Sequence, residues 1–256
     1  MKLFLNRIRN FVDKPNDYLT PDSQNFLLQS TKVSNELRLW QGHDSWAPIS
    51  IGQNCTTAWY LKKTGKKFHS FPFDWVFSSA EIVEDCMKDS FTSFLDRSQM
   101  IKNQDGTIGH KRYHKYLFSH RDPLNDDEDF LYYERCIERF VRATELDEPI
   151  VFVCTVIQES KRRPGWANGF TGTYEMPTAQ TIETFMPLMD RARSRRGKSR
   201  FVFIEQHTES SNPSLVLSEI TDNWAWINFV AGGKNTGSKF HQLVDDLSFS
   251  ILLNGV

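Results

Sequence analysis

From Pro149 to Val156 the chain reads Pro149-Ile150-Val151-Phe152-Val153-Cys154-Thr155-Val156, an apolar run of strand length without alternation. A strand with one wet face alternates apolar and polar residues, so an unbroken run implies burial on both faces, as in a parallel sheet covered by helices. Its surroundings agree. Asp126-Asp127-Glu128-Asp129 opens a helix whose Phe130, Tyr133, Ile137, Phe140, Val141 and Thr144 share one face, with the acids suiting its N-terminus. A long polar loop follows the run, then a helix from about Thr178 to Arg193, with Pro187 inside it. Phe201-Val202-Phe203-Ile204 and Trp226-Ile227-Asn228-Phe229-Val230 are further buried strands, and a last helix covers about Lys239 to Leu253. Strands alternating with helices predict a three-layer α/β domain with a mostly parallel central sheet.

The N-terminal part is less regular. Residues 1–47 are mixed and polar, punctuated by Pro15 and Pro21 with Pro48 just beyond. They are expected to be an extension of short helices packing on a single α/β domain, residues 48–256. That domain's first strand is Ile49-Ser50-Ile51, followed by a turn at Gly52 and a helix from Cys55 to Lys63, ending at Gly65. Ser78 and Ser79 can cap a helix over Ala80–Lys88, with Glu81 in its first turn. Residues 100–120 read as extended, with turns at Gly106 and Gly109.

Composition narrows the function classes. With 31 Lys+Arg against 32 Asp+Glu the net charge is −1, which argues against non-specific binding to nucleic acid or an anionic membrane. The 20 Phe, 7 Tyr and 7 Trp speak for a folded core. MKLFLNRIRNF is too short in its apolar part for a secretory signal, no stretch reaches a membrane span, and a cytoplasmic location is expected. Cys55, Cys86, Cys136 and Cys154 form no CxxC pair and read as reduced thiols.

Among these, Cys55 occupies a special place: strand, glycine turn, Gln53-Asn54, then the start of a helix. A helix N-terminus favours thiolate over thiol, and its free N–H groups can bind an oxyanion as a carbonyl is attacked. Exposing a nucleophile between strand and helix is also a general device of α/β folds. The competing reading is a small buried cysteine that packs the turn.

The stretch ISIGQNCTTAWYLKKTGKKFHSFPFDWVFSS resembles the signature of a poorly characterised family described as putative papain-like cysteine peptidases. Ser50, Gly52, Cys55, Leu61, Gly65, Ser70, Pro72, Phe73, Asp74, Trp75 and Ser78 match that signature in order. Phe118-Ser119-His120-Arg121-Asp122 corresponds to the family's histidine, and Glu134-Arg135 and Glu138-Arg139-Phe140 to its basic helix. Cys136 and Cys154 stand where arginines are usual. The resemblance implies Cys55 as nucleophile and His120 as the base that takes its proton. Asp74 or Asp122 would orient the imidazole, as triad logic requires. Asp74 could equally fix its loop by accepting backbone N–H groups. Asn54, or backbone amides of residues 54–56, would form the oxyanion hole, with Gly52 and Gln53 in support. Phe71, Phe73 and Trp75 would face substrate. A papain-like α+β fold is the alternative that the resemblance brings.

Other chemistries fare less well. His110, His114 and His120 share strand parity but span too great a length to meet on one ion without a turn, so no metal is expected. Arg191, Arg193, Arg195, Arg196, Lys198 and Arg200 lie at a helix C-terminus without interleaved aromatics, which suits a solvated, dipole-matched face better than nucleic acid. Gly232-Gly233-Lys234-Asn235-Thr236-Gly237 lacks the spacing of a phosphate loop, but follows a buried strand and so can lie beside the site. No cofactor is expected. Two classes stand: a cysteine hydrolase or acyl transferase acting on a peptide or other acyl-containing small substrate, and a catalytically silent binding module whose aromatic loop 68–77 holds a partner or glycan.

Overall fold

The computed structural model describes residues 19–42, 46–146, 148–157, 161–162, 174–175, 180–195 and 198–256. The start of the helix predicted from Thr178, Arg196 of the basic run, most of the polar loop after Val156 and residues 1–18 lie outside them.

Helix α1 (Pro21–Gln41) is a single 21-residue element where short helices were expected. Thr20 caps it by accepting from the Ser23 amide, and Pro21 takes the first-turn place that needs no N–H donor. Then come β1 (Ala47–Ser50), α2 (Thr56–Lys63), α3 (Ala80–Lys88), β2 (Met100–Lys102), β3 (Ile108–His110), α4 (Asp127–Glu145) and β4 (Ile150–Ile157). The rest comprises β5 (Lys161–Arg162), β6 (Tyr174–Glu175), α5 (Ile182–Arg195), β7 (Ser199–His207), β8 (Ser214–Ile220), β9 (Trp224–Val230) and α6 (Leu243–Leu253).

Five strands form the central sheet in the order β1-β4-β7-β9-β8, all parallel except β8, which pairs antiparallel with β9 at the edge. The α/β reading therefore holds, in place of a segregated α+β layout. The sequence reading missed β8: its Val216, Glu219 and Ile220 are exposed, as suits an edge strand, and its apolar signal is correspondingly weak. Gly109, expected in a turn, instead lies within β3, where only glycine fits, since a side chain would meet the Lys115 carbonyl oxygen at 2.1 Å.

All eight residues of β4 are buried, and they supply both cores in alternation. Phe152, Cys154 and Val156 join Phe201 and Phe203 against α3, α4 and α5, through Val83, Phe140 and Phe185. Val151 and Val153 join Val202, Ile204 and Ile227 on the other side, against Leu37 of α1, Tyr60 of α2 and Phe249 of α6. Two-sided burial accounts for the unbroken apolar run, and the carboxyl ends of the parallel strands are left as the place for a site. Among the described residues no helix is long and apolar enough to cross a membrane.

Candidate active site

Strand β1 stops at Ser50, whereas β4 runs on to Ile157. The β4 amides beyond the end of β1 need acceptors, and the turn after β1 and the first turn of α2 supply them. Thr57 Oγ1 accepts from the Thr155 amide at 2.9 Å, and Gln53 Oε1 accepts from the Ile157 amide at 2.6 Å. Ser78 closes the turn from the other side, donating its hydroxyl to the Gly52 carbonyl at 2.6 Å and its amide to that of Gln53 at 3.3 Å. Gly52 is required here, since a Cβ would stand 2.6 Å from Thr57 Oγ1. The result is a rigid elbow with Cys55 at its apex, as the N-cap of α2.

Cys55 has 8% of its surface exposed, and its Sγ lies 3.2 Å from His120 Nε2. The two residues are 65 positions apart, and separate anchors bring the histidine in. Phe118 is fully buried against Phe94 and Tyr133, and its amide bonds the Ile108 carbonyl at 2.9 Å. Beyond His120, Asp129 in the first turn of α4 ion-pairs with Arg121 and accepts from the Asp122 amide at 2.8 Å. Arg121 also stacks on Tyr132, 3.8 Å from the ring centroid. The imidazole is thus fixed by its neighbours in the chain, with its outer side exposed.

Electrostatically the pair is neutral at rest. Burial pushes the Cys55 thiol up to about 12, against the help of its own backbone N–H, and the charge of Asp74 adds to the rise. Burial likewise holds His120 below the usual imidazole range, and the Arg121 guanidinium lowers it further. The helix N-terminus therefore does not by itself make Cys55 a thiolate: desolvation outweighs it. What the arrangement offers is a thiol already hydrogen-bonded to an unprotonated base.

The other expected site residues fall in different places. The carboxylate of Asp74 is buried and bound to the Lys67 ammonium and, at 2.7 Å, to the Phe71 amide. It fixes the loop, with burial raising its carboxyl above the usual range while Lys67 and the amide oppose that. The carboxylate of Asp122 accepts from the Asn125 amide and side chain. Neither is hydrogen-bonded to His120, and among the described residues no carboxylate or amide oxygen bonds its second ring nitrogen. Asn54 Oδ1 takes the Thr56 amide at 3.0 Å, and its NH2 group is enclosed without a partner, as is that of Gln53. Phe73 is fully buried, edge-on to Phe94 and Phe140, so it belongs to the core and has no surface for a substrate. Phe71 packs on Phe140 and is half-buried, as is Trp75.

The three histidines diverge: His110 Nε2 meets the Ser93 carbonyl and His114 Nδ1 the Tyr116 amide. Cys86, Cys136 and Cys154 are free and buried, as is Cys55. The glycine-rich turn does reach the site's border. Asn235 Oδ1 accepts from Thr56 Oγ1 at 3.3 Å, and Asn235 Nδ2 donates to Gln206 at 2.8 Å.

Several positioning residues had no sequence signal of their own. Lys67 is an ordinary lysine in a basic stretch, and Gln206 a polar residue at a strand end. Asp129 was legible only as a helix-opening acid, and Ser78 as a signature match and a cap, the latter a job that belongs to Ser79.

No curated protein and no solved structure gave a match to the chain. Residues 46–164, which include both Cys55 and His120, match the model of the family described as putative papain-like cysteine peptidase.

Proposed function

We propose that the protein is a cysteine-nucleophile hydrolase or acyl transferase acting on amide or ester bonds. The observation that carries this reading is the 3.2 Å contact between Cys55 Sγ and His120 Nε2 at the carboxyl edge of a parallel sheet. In the reaction His120 Nε2 takes the thiol proton as the sulfur attacks the acyl carbon. The carbonyl π electrons move onto oxygen, beside the Cys55 amide at the start of α2. As the tetrahedral adduct collapses, His120 returns the proton to the departing amine or alcohol, leaving a thioester. Water then gives its proton to His120, attacks the thioester and releases the acid, and the proton passes back to sulfur. Moving the proton directly from the buried thiol to the neutral ring avoids maintaining an isolated thiolate, which desolvation makes costly.

The test is acylation by p-nitrophenyl acetate. A burst of p-nitrophenolate is expected, with a thioester on Cys55 detected by peptide mass spectrometry and absent from Cys55→Ala. Without an acetyl group on Cys55, or with an equal burst from Cys55→Ala, the reading fails and the silent binding module takes its place.

A further inference from the structure

Helix α2 buries Thr56, Thr57, Ala58, Tyr60 and Leu61. Its outward stripe is Trp59, Lys62 and Lys63, and the buried Cys55 stands one turn before Trp59, since positions four apart share a face. Along this stripe opens a groove of about 520 Å³, a size suited to a small ligand. Trp59 and Lys63 form one wall; the turn Thr236–Lys239 and the segment leading to Leu243 form the other. The groove begins one helical turn beyond the nucleophile, which is not itself part of its lining. The Trp59 amide bonds the Cys55 carbonyl at 2.9 Å, and Thr236 follows Asn235, which is bound to Thr56.

Its lining combines apolar surface with one uncompensated cation. Trp59 and Leu243 are 36% and 42% exposed. Lys63 is neutralised by Asp246, which also accepts from Tyr60 Oη at 2.7 Å. Lys239 is exposed and has no carboxylate partner among the described residues. It stands on a turn held by bonds between Thr236 and Lys239, the amide of the first to the carbonyl of the second at 2.9 Å. Trp59 lies about 6 Å along the helix axis from Cys55 and Lys63 about 12 Å, the span of roughly two to four extended residues.

We propose that this groove binds the part of the acyl substrate that flanks the reacting carbonyl, and that it selects an apolar side chain followed by a carboxylate. Trp59 and Leu243 take the apolar group and Lys239 the carboxylate. The inference rests on the nucleophile reading for its reaction, but not for its binding, so the two can be tested apart.

The probes are iodoacetyl-leucyl-glutamate and iodoacetyl-leucyl-glutamine, both with the C-terminus amidated so that only the first carries a carboxylate, each alkylating Cys55 with loss of iodide. The glutamate probe is expected to react about two- to fivefold faster, the size of one solvated charge contact. That preference should vanish in Lys239→Gln and persist in Lys62→Gln, which alters an exposed cation outside the groove. Equal rates for the two probes, or a preference that survives Lys239→Gln, overturn the proposal. Should Cys55 prove unreactive to iodoacetamide as well, the nucleophile reading is what fails. The groove is then judged by binding of C-terminally amidated acetyl-leucyl-glutamate against its glutamine analogue, read as fluorescence quenching present in the wild type and absent in Trp59→Phe. Glutamate-selective quenching upholds the groove; its absence rejects it.

Discussion

Replacing His120 with alanine removes the side-chain hydrogen-bond partner of the Cys55 sulfur while leaving the buried sulfur where it is. The consequence can be worked out. With the thiol at about 12, only about one molecule in 30,000 carries thiolate at pH 7.5. An unfolded cysteine near 8.5 has about one in ten, so the variant starts roughly 3,000-fold short of thiolate. A more basic thiolate is a better nucleophile, which returns a factor of about 40. Cys55 in His120→Ala should therefore alkylate with iodoacetamide roughly a hundredfold more slowly than an unfolded cysteine, before any steric hindrance is counted. Its rate should climb about tenfold per pH unit through pH 10. In the wild type the base takes the proton, so the rate should rise with the unprotonated fraction of His120 and level off. That rise falls below the usual imidazole range, since burial and Arg121 both favour the neutral ring. Reactivity is thus lost as pH falls through the depressed value and retained at neutral pH. The assay is timed alkylation with peptide mapping, and the fully buried Cys86, Cys136 and Cys154 serve as internal references. If wild type and His120→Ala show the same rate and the same pH slope, His120 is not the base.

Four further outcomes are expected. Asp129→Asn keeps an acceptor for the Asp122 amide but loses the ion pair with Arg121, so Cys55 alkylation should fall about tenfold and its pH profile shift, while a small melting change with an unaltered profile would deny Asp129 a positioning role. Lys67→Met leaves the buried Asp74 carboxylate without its cation and should cost about 3 kcal/mol in urea unfolding; the double variant with Asp74→Asn should recover part of that loss. Phe73→Ala should cost about 3–5 kcal/mol by the same measurement, as core truncations do, whereas a residue reserved for substrate would cost far less. Gly52→Ala forces a methyl against Thr57, whose hydroxyl serves the Thr155 amide, and should destabilise by about 1–3 kcal/mol with loss of Cys55 reactivity.

Particular elements show how far the sequence could be read. The eight-residue strand around Phe152 was legible because two-sided burial leaves no exposed position in it and all but Thr155 are apolar. Helix α4 was legible from its acids and its 3.6-residue face, and the elbow from strand, glycine and helix in succession. Edge strand β8 was not, because half of it faces water and it joins a parallel sheet in the opposite direction. Arg200 shows the same limit. It belongs to the basic run near the end of α5, yet it lies between Trp40 and Trp46, 4.7 and 4.6 Å from their rings. Those aromatics are about 160 residues away in the chain, so no local pattern could reveal them.

At the site the division is sharper. Local sequence determined that Cys55 begins a helix behind a glycine turn, because backbone geometry and capping act over a few residues. Resemblance to a family singled out His120. Only the tertiary structure decided that the two meet at 3.2 Å, that Asp74 serves its own loop, and that Gln53 completes the ladder where β1 stops short. It also decided the protonation state. A helix N-terminus favours the thiolate, but burial depends on every element packed around the sulfur, and here that larger effect prevails.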